Sequence, residues 1–356
     1  MNAETVQAAA YGGAVLGGGG GGPIEEGLRL GRLALELGRP RLVTLDELDD
    51  DAVLVTVALV GAPSATEQYL EPMYLVRALE LLMAHLDRPV AGLITNENGG
   101  MATLNGWLQS AITGRPVVDA PCNGRAHPTG LMGAMGLDAV PGYLARQAAV
   151  GGNPDAGRHL RLYVEGGLTL TARLVRQAAV EAGGLVAVAR SPVTVDYARQ
   201  HAAPGAVGQA IEVGRALLGA SIPIEAAEAV CRVLGGQLIC QALVRRVALR
   251  SEGGFDVGQV ALEDGYELTF WNEYMTLERR GERLATFPDL IATLSATEPR
   301  PLTSAEIRQG QELLVIRAPK ERLRLGAGMR RPELFRVAEE AVGKEIIRYV
   351  FAGEAA

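Results

Sequence analysis

The densest group of reactive side chains in the sequence is Asp119-Ala-Pro-Cys122-Asn123-Gly124-Arg125-Ala-His127-Pro128. Within nine residues it holds a carboxylate, a thiol, an amide, a guanidinium and an imidazole, on a backbone bent by proline and glycine. A Cys and a His five apart on one loop can reach a single zinc ion or form a thiolate–imidazole pair. A solitary cysteine is usually a small buried hydrophobe, but the company of Asp119 and Arg125 favours chemistry here. Asn123 and Arg125 are candidates for holding a substrate. A second group is Asn96-Glu97-Asn98-Gly99-Gly100. Glu97 could serve as a general base or a ligand, and Asn96 and Asn98 could donate to an oxyanion or a ring carbonyl. The plain alternative is an Asn-rich turn that caps the next helix.

Six consecutive glycines, Gly17 to Gly22, precede Pro23 and a helical pattern. Glycine lets backbone N–H groups point at a bound anion, and a helix start favours negative charge. Gly18, Gly19 and Gly20 are therefore candidates for contacting a substrate carboxylate, with a plain packing turn as the alternative. No Gly-Lys-Ser/Thr follows and the preceding segment reads as helix, which removes the Walker and dinucleotide readings. A fourth group joins Ala189-Arg190-Ser191-Pro192 to His201 and the Pro204-Gly205 turn. His201 could add a second imidazole to a metal site formed with Cys122 and His127, or simply mark a helix entry. Cys231 and Cys240 lie in an apolar stretch read as helical and are expected to pack. Trp271-Asn272-Glu273-Tyr274 and Phe287-Pro288-Asp289-Leu290-Ile291 read first as strand and turn signals.

The positioning elements follow from hydrophobic periodicity. Helices are expected over 4–16, 24–37, 74–86, 104–112, 207–218 and 223–234, with a short strand leading into a helix across 160–180. Strands are expected at 41–45, 52–60, 90–95 and 116–119, so that the Glu97 and Cys122 groups each follow a strand. In an open α/β sheet, ligands bind at that carboxyl edge. From about residue 250 the texture changes to short strand-like runs at 257–262, 267–272, 274–279, 284–286 and 313–316, closed by a helix at 332–342. The expected fold class is α/β: an open-sheet domain over 1–165 and a C-terminal domain over 166–356 containing a smaller β-rich module at about 250–330.

Composition narrows the function classes. A net charge of −7 with only 4% aromatics gives neither a phosphate footprint nor stacking platforms, which excludes nucleic acid as the expected partner. No run of 18 apolar residues occurs and no signal peptide is evident, so neither a membrane nor export is expected. Three cysteines are too few for a disulfide framework, and the cytoplasm is the expected compartment. The expected partners are a small-molecule substrate with a carboxylate and, as a homo-oligomer, further copies of the chain.

Taken together, these stretches resemble the S-methyl-thiohydantoin desulfurase-like family. The resemblance rests on GGGGGGPIEEGLRLGR, VTVALVGAPSATEQ, NENGG, VVDAPCNGRAHP, HAAPGAVGQAIEVGRAL, FWNEYM and FPDLI in that order. It implies an N-terminal α/β domain and a C-terminal part with a β-rich module. Many members carry a GMGRAFPE-like stretch where this chain has CNGRAHP, which sets Cys122 and His127 in a subgroup. Members similar to that subgroup imply desulfuration of thiohydantoin rings, including the 2-thioxo-imidazolidinone propionate formed in ergothioneine breakdown. In such a reaction water attacks a C=S carbon and sulfur leaves as hydrosulfide. A zinc-like divalent ion would lower the pKa of bound water to ~7 and accept charge developing on sulfur. Glu97, Asp119, Cys122 and His127 are the expected catalytic residues. Two readings compete: metal-free attack by Cys122 with His127 as base, and a non-catalytic protein that holds a small carboxylated ligand.

Overall fold

The computed structural model describes residues 1–61, 65–253 and 255–352. Positions 62–64 within VTVALVGAPSATEQ, position 254, and positions 353–356 at the end of the expected C-terminal domain lie outside them. Two sheets organise the chain. The first contains β1 (Leu42–Val43), β2 (Val53–Gly61), β3 (Val90–Thr95), β4 (Val117–Val118), β5 (Ala145–Gly151), β6 (Leu160–Gly166) and β7 (Leu185–Thr194), in the order β1-β4-β3-β2-β7-β5-β6. Its first four strands run parallel, whereas β7, β5 and β6 join antiparallel. Buried Val, Leu, Ile and Ala on both faces of β2, β3 and β7 account for their near-continuous apolar sequences. The sheet reaches Thr194 and so includes residues on both sides of position 165.

Helices cover both faces. On one lie α1 (Ala3–Gly17), α2 (Ile24–Leu37), α3 (Met73–Met83) and α4 (Trp107–Thr113), which share a core with Val55, Val57, Leu93 and Ala187. On the other, α5 (Leu168–Glu181) packs Val175 and Ala179 against Val60, Val186 and Val188, and α6 (Val195–His201) adds Val195 and Ala198 beside Leu54 and Ile94. Next come α7 (Ala206–Leu218) and α8 (Pro223–Leu234). Helix α1 lies against α7 so closely that a Cβ at Gly12 would sit 1.8 Å from the Ala210 carbonyl oxygen. Only glycine permits that approach.

The second sheet is antiparallel, with β8 (Gln237–Glu252), β9 (Phe255–Leu262), β10 (Tyr266–Trp271), β11 (Glu273–Arg279), β12 (Glu282–Thr286), β13 (Leu290–Ser295), β14 (Pro301–Leu302) and β15 (Glu312–Ala318). Their order is β12-β11-β10-β9-β8-β15-β13-β14. Cys240, expected on a helix, lies in β8 opposite Val315 of β15, two residues from the buried Ala242 and so on the same face of the strand. The short helices α9 (Arg336–Val342) and α10 (Ile347–Val350) close the chain over a cluster containing Trp271, Phe287 and Phe335. The α/β class with a C-terminal β-rich part is thus the observed architecture. Among the described residues, no helix is long and apolar enough to cross a membrane.

Candidate active site

Strands β3 and β4 end close together, and the chain beyond them stays paired. The Cys122 N–H donates to the Thr95 carbonyl at 3.0 Å and the Asn123 N–H to the Asn96 carbonyl at 3.1 Å. This pairing carries the Asn96–Asn98 turn and the 122–127 loop side by side at the carboxyl edge of the sheet.

Asn96, Glu97 and His127 then form one network. Arg190 Nη2 donates to Asn96 Oδ1 at 2.7 Å, which turns the amide nitrogen toward His127 Nε2 at 3.1 Å and Glu97 Oε2 at 3.3 Å. His127 Nδ1 lies 2.9 Å from the Thr129 carbonyl, which can only accept, so Nδ1 carries the ring proton and Nε2 offers a lone pair. Burial, reinforced by the charge of Arg190, pushes the imidazole down to about 3 and keeps it neutral at pH 7. Burial also raises the Glu97 carboxyl to about 7, although the His127 N–H (3.3 Å) and the Arg190 charge favour its ionised form. The 3.2 Å contact of Glu97 Oε2 with His127 Nε2 is therefore not an ion pair, and only the protonated carboxyl can donate across it.

This network forms one wall of a cavity of about 340 Å³. Residues 58–61 of β2, the 128–131 loop and the Gly21–Pro23 turn line it, together with Thr169, Ala172, Arg173 and Arg176 at helical spacing on α5. The second sheet supplies Phe255, Asn272 and Glu273. Arg176 lies over the Phe255 ring, 4.4 Å from its centroid, and donates to the Gly61 carbonyl at 3.1 Å. Burial lowers it only to about 10, so it remains a cation at pH 7. Glu273 is 2% exposed, and among the described residues its Oε2 finds no hydrogen-bond partner. Burial, followed by the nearby charge of Glu97, holds its carboxyl well above the usual carboxylate range.

The remaining expected site residues lie elsewhere. Asp119 caps α7, accepting from the N–H groups of Val207 (2.7 Å) and Gly208 (3.0 Å). Cys122 contacts the Thr56 hydroxyl at 3.2 Å, does not line the cavity, and has its thiol pushed up to about 11 by burial. Asn98 donates to the carbonyls of Gly124 and Ala206, and Asn123 braces Gly326 and Arg125. Arg125 is buried over Phe287 and donates to the carbonyls of Pro288 and Asp289, joining the loop to the second sheet. Gly18 and Gly19 give their carbonyls to Tyr274 and Ser304, and Gly20 packs against Glu273, so only Gly21 and Gly22 of the run reach the cavity.

The donor set expected for zinc does not fit. His201 stands edge-on to Tyr197 at 4.2 Å, while Cys122 and His127 are engaged with Thr56 and with Asn96 and Thr129. Among the described residues, no group of three His, Cys, Asp or Glu side chains stands close enough to share a metal ion. Sequence reasoning missed Glu273, Asn272, Arg173 and Arg176. The arginine pair had a legible signal, since Thr169, Ala172, Arg173 and Arg176 fall on one helical face.

A solved structure of a protein from Chromobacterium violaceum shares this fold, with 24% identity, a TM-score of 0.68, and coverage of 89% of this chain and 90% of that one. None of the curated proteins matches the chain. The S-Me-THD-like N-terminal domain matches residues 4–153, which hold the glycine run and both loops of the first sheet. The S-Me-THD-like C-terminal domain matches residues 168–331, which hold α5 and Glu273, and the chain therefore belongs to the S-methyl-thiohydantoin desulfurase-like family.

Proposed function

We propose that the protein is a hydrolase that replaces the sulfur of a small thiohydantoin-type ring by oxygen, on a substrate carrying an anionic arm. The observation that carries this reading is Glu97: a buried carboxyl near pH 7, held by Asn96 and His127 at the wall of a cavity of ligand size. A base with that poise is half ionised at neutral pH and can take a proton from water as the water oxygen adds to the C=S carbon. The His127 backbone N–H and the Asn96 amide donate to Glu97 and keep the carboxylate in place. Arg173, Arg176 and Arg190 border the same space, and with Glu273 protonated they leave it positive, which favours an anion. A 2-thioxo-imidazolidinone with a propionate arm, the ring formed in ergothioneine breakdown, meets these requirements. The buried Cys122 thiol serves packing in this scheme, and no step passes through a metal held by Cys122, His127 and His201.

The test is sulfide release from 5-(2-carboxyethyl)-2-thiohydantoin and from its methyl ester. Sulfide is expected from the acid, with the ester roughly tenfold poorer in kcat/KM, equivalent to about 1.4 kcal/mol. No sulfide from either compound, with protein and substrate at comparable concentrations, would end the proposal.

A further inference from the structure

We infer that Glu273 is the acid partner of Glu97, protonating the sulfur as water adds to the ring carbon. This rests on the desulfuration proposed above and names its second catalytic group. Glu273 is the first residue of β11, just after Asn272, whose φ of 57° turns the chain. It comes from the second sheet, yet it faces the cavity lined by Glu97 of the first. The Gly20 backbone packs directly against one side of its carboxyl: a Cβ there would lie 1.9 Å from Oε1. The other oxygen is buried and makes no hydrogen bond among the described residues. A buried, unpartnered polar atom is costly, and a ligand in the cavity supplies the missing partner. The charged groups around it are Glu97 across the cavity, Arg125 from the 122–127 loop and Arg176 from α5. Burial and Glu97 favour the proton on Glu273, against the two arginines. Two carboxyls whose surroundings set them apart are suited to opposite roles.

The proton balance closes with water as the only co-substrate. A water O–H breaks, its proton goes to Glu97, and the oxygen bonds to the ring carbon. The C=S π pair moves to sulfur, which takes the Glu273 proton. In the second half the C–S bond breaks and hydrosulfide takes the proton from Glu97. The new C–OH returns its proton to Glu273 as C=O forms. Both carboxyls end as they began, and the products are the oxo ring and hydrogen sulfide.

The test sets a thiohydantoin against the corresponding 2-(4-nitrophenylthio) ring, whose thiolate leaves without a proton. On the thiohydantoin, E273Q is expected to lose about 100-fold or more in kcat, and on the nitrophenylthio ring no more than about threefold. E273D, which keeps the acid, retains the wild-type substrate pattern at a lower rate. Equal losses of E273Q on both substrates, with the wild type releasing sulfide, would overturn the acid role and leave the desulfuration reading intact. A wild type that releases no sulfide removes both. Independently of turnover, the infrared difference between wild type and E273Q at pH 7 is expected to contain the C=O stretch of a protonated carboxyl. Carboxylate bands alone would overturn the inference.

Discussion

The loop 119–127 and the turn 271–274 hold similar polar groups and use them in opposite ways. In the loop, Asp119 is occupied by two α7 N–H groups, Cys122 by Thr56, Asn123 by Gly326 and Arg125, and Arg125 by the carbonyls of residues 288 and 289. One nitrogen of Arg125 stays unpaired, but it sits against Gly18, outside the cavity. Only His127, at the far end, faces the open space. The turn instead engages Asn272 with Asp256 and Ser304 and leaves Glu273 with a free oxygen at the cavity wall. Unspent hydrogen-bonding capacity beside a cavity distinguishes a site from a brace, and local density of reactive residue types does not.

The contrast is broken most severely at Glu97. E97Q is expected to lower kcat by about 10²–10⁴-fold, and wild-type kcat should rise with pH through about 7 as the base ionises. The charged and titratable groups around it are His127, Arg190, Arg176, Arg125, Cys122 and Glu273. Stability should move the other way. The folded value lies above the ordinary 4.5, so between 4.5 and about 7 the unfolded chain ionises while the folded one stays protonated, and stability falls as pH rises. E97Q should flatten that decline in melting temperature; an unchanged slope would show that Glu97 is not the group responsible.

Gly20 gives the next largest effect. A methyl group there collides with Glu273 Oε1, so G20A should displace the carboxyl and reduce kcat by up to about 100-fold. Its KM should change equally for acid and ester substrates. A rise in KM for the acid alone would restore the glycines as carboxylate readers. Arg173 is exposed at the cavity rim, and R173A should raise KM for the acid about tenfold with kcat preserved. An equal rise for the ester would argue against a charge-based role. The smallest effects belong to the loop. D119N should cost about 0.5–2 kcal/mol of stability through the lost cap, and C122S about 1 kcal/mol, each with kcat within about twofold in the folded protein. Inactive, well-folded C122S protein would return the thiol to the centre of the chemistry.

Apolar runs and periodicity made most of the first sheet and its helices readable, because β2 and β3 are near-continuous buried runs and α2 and α3 each bury one face. They failed at β7, where ARSPVT ends a strand with a proline, and at β8, where the Arg245-Arg246 pair interrupts the alternation. The strand-then-turn rule picked out Asn96, Glu97 and His127, which line the cavity. It could not separate these from Asp119 or Asn98, whose roles depend on helices that arrive from residues 103 and 206–208. Glu273 was hidden for a related reason. Between Trp271 and Tyr274 it reads as a strand residue, and only the approach of the other sheet turns it into a cavity wall.

The glycine run also has a consequence for the order in which the molecule is made. The Gly18 and Gly19 carbonyls find their partners at Tyr274 and Ser304, the latter 285 residues further along the chain. Closing a loop of that length is entropically costly and slow to be rewarded. Synthesis therefore reaches one side of the cavity, at Gly21 and Gly22, long before its counterpart at Asn272 and Glu273. The cavity is walled only once synthesis has passed Glu273, which ties its formation to the arrival of the second sheet.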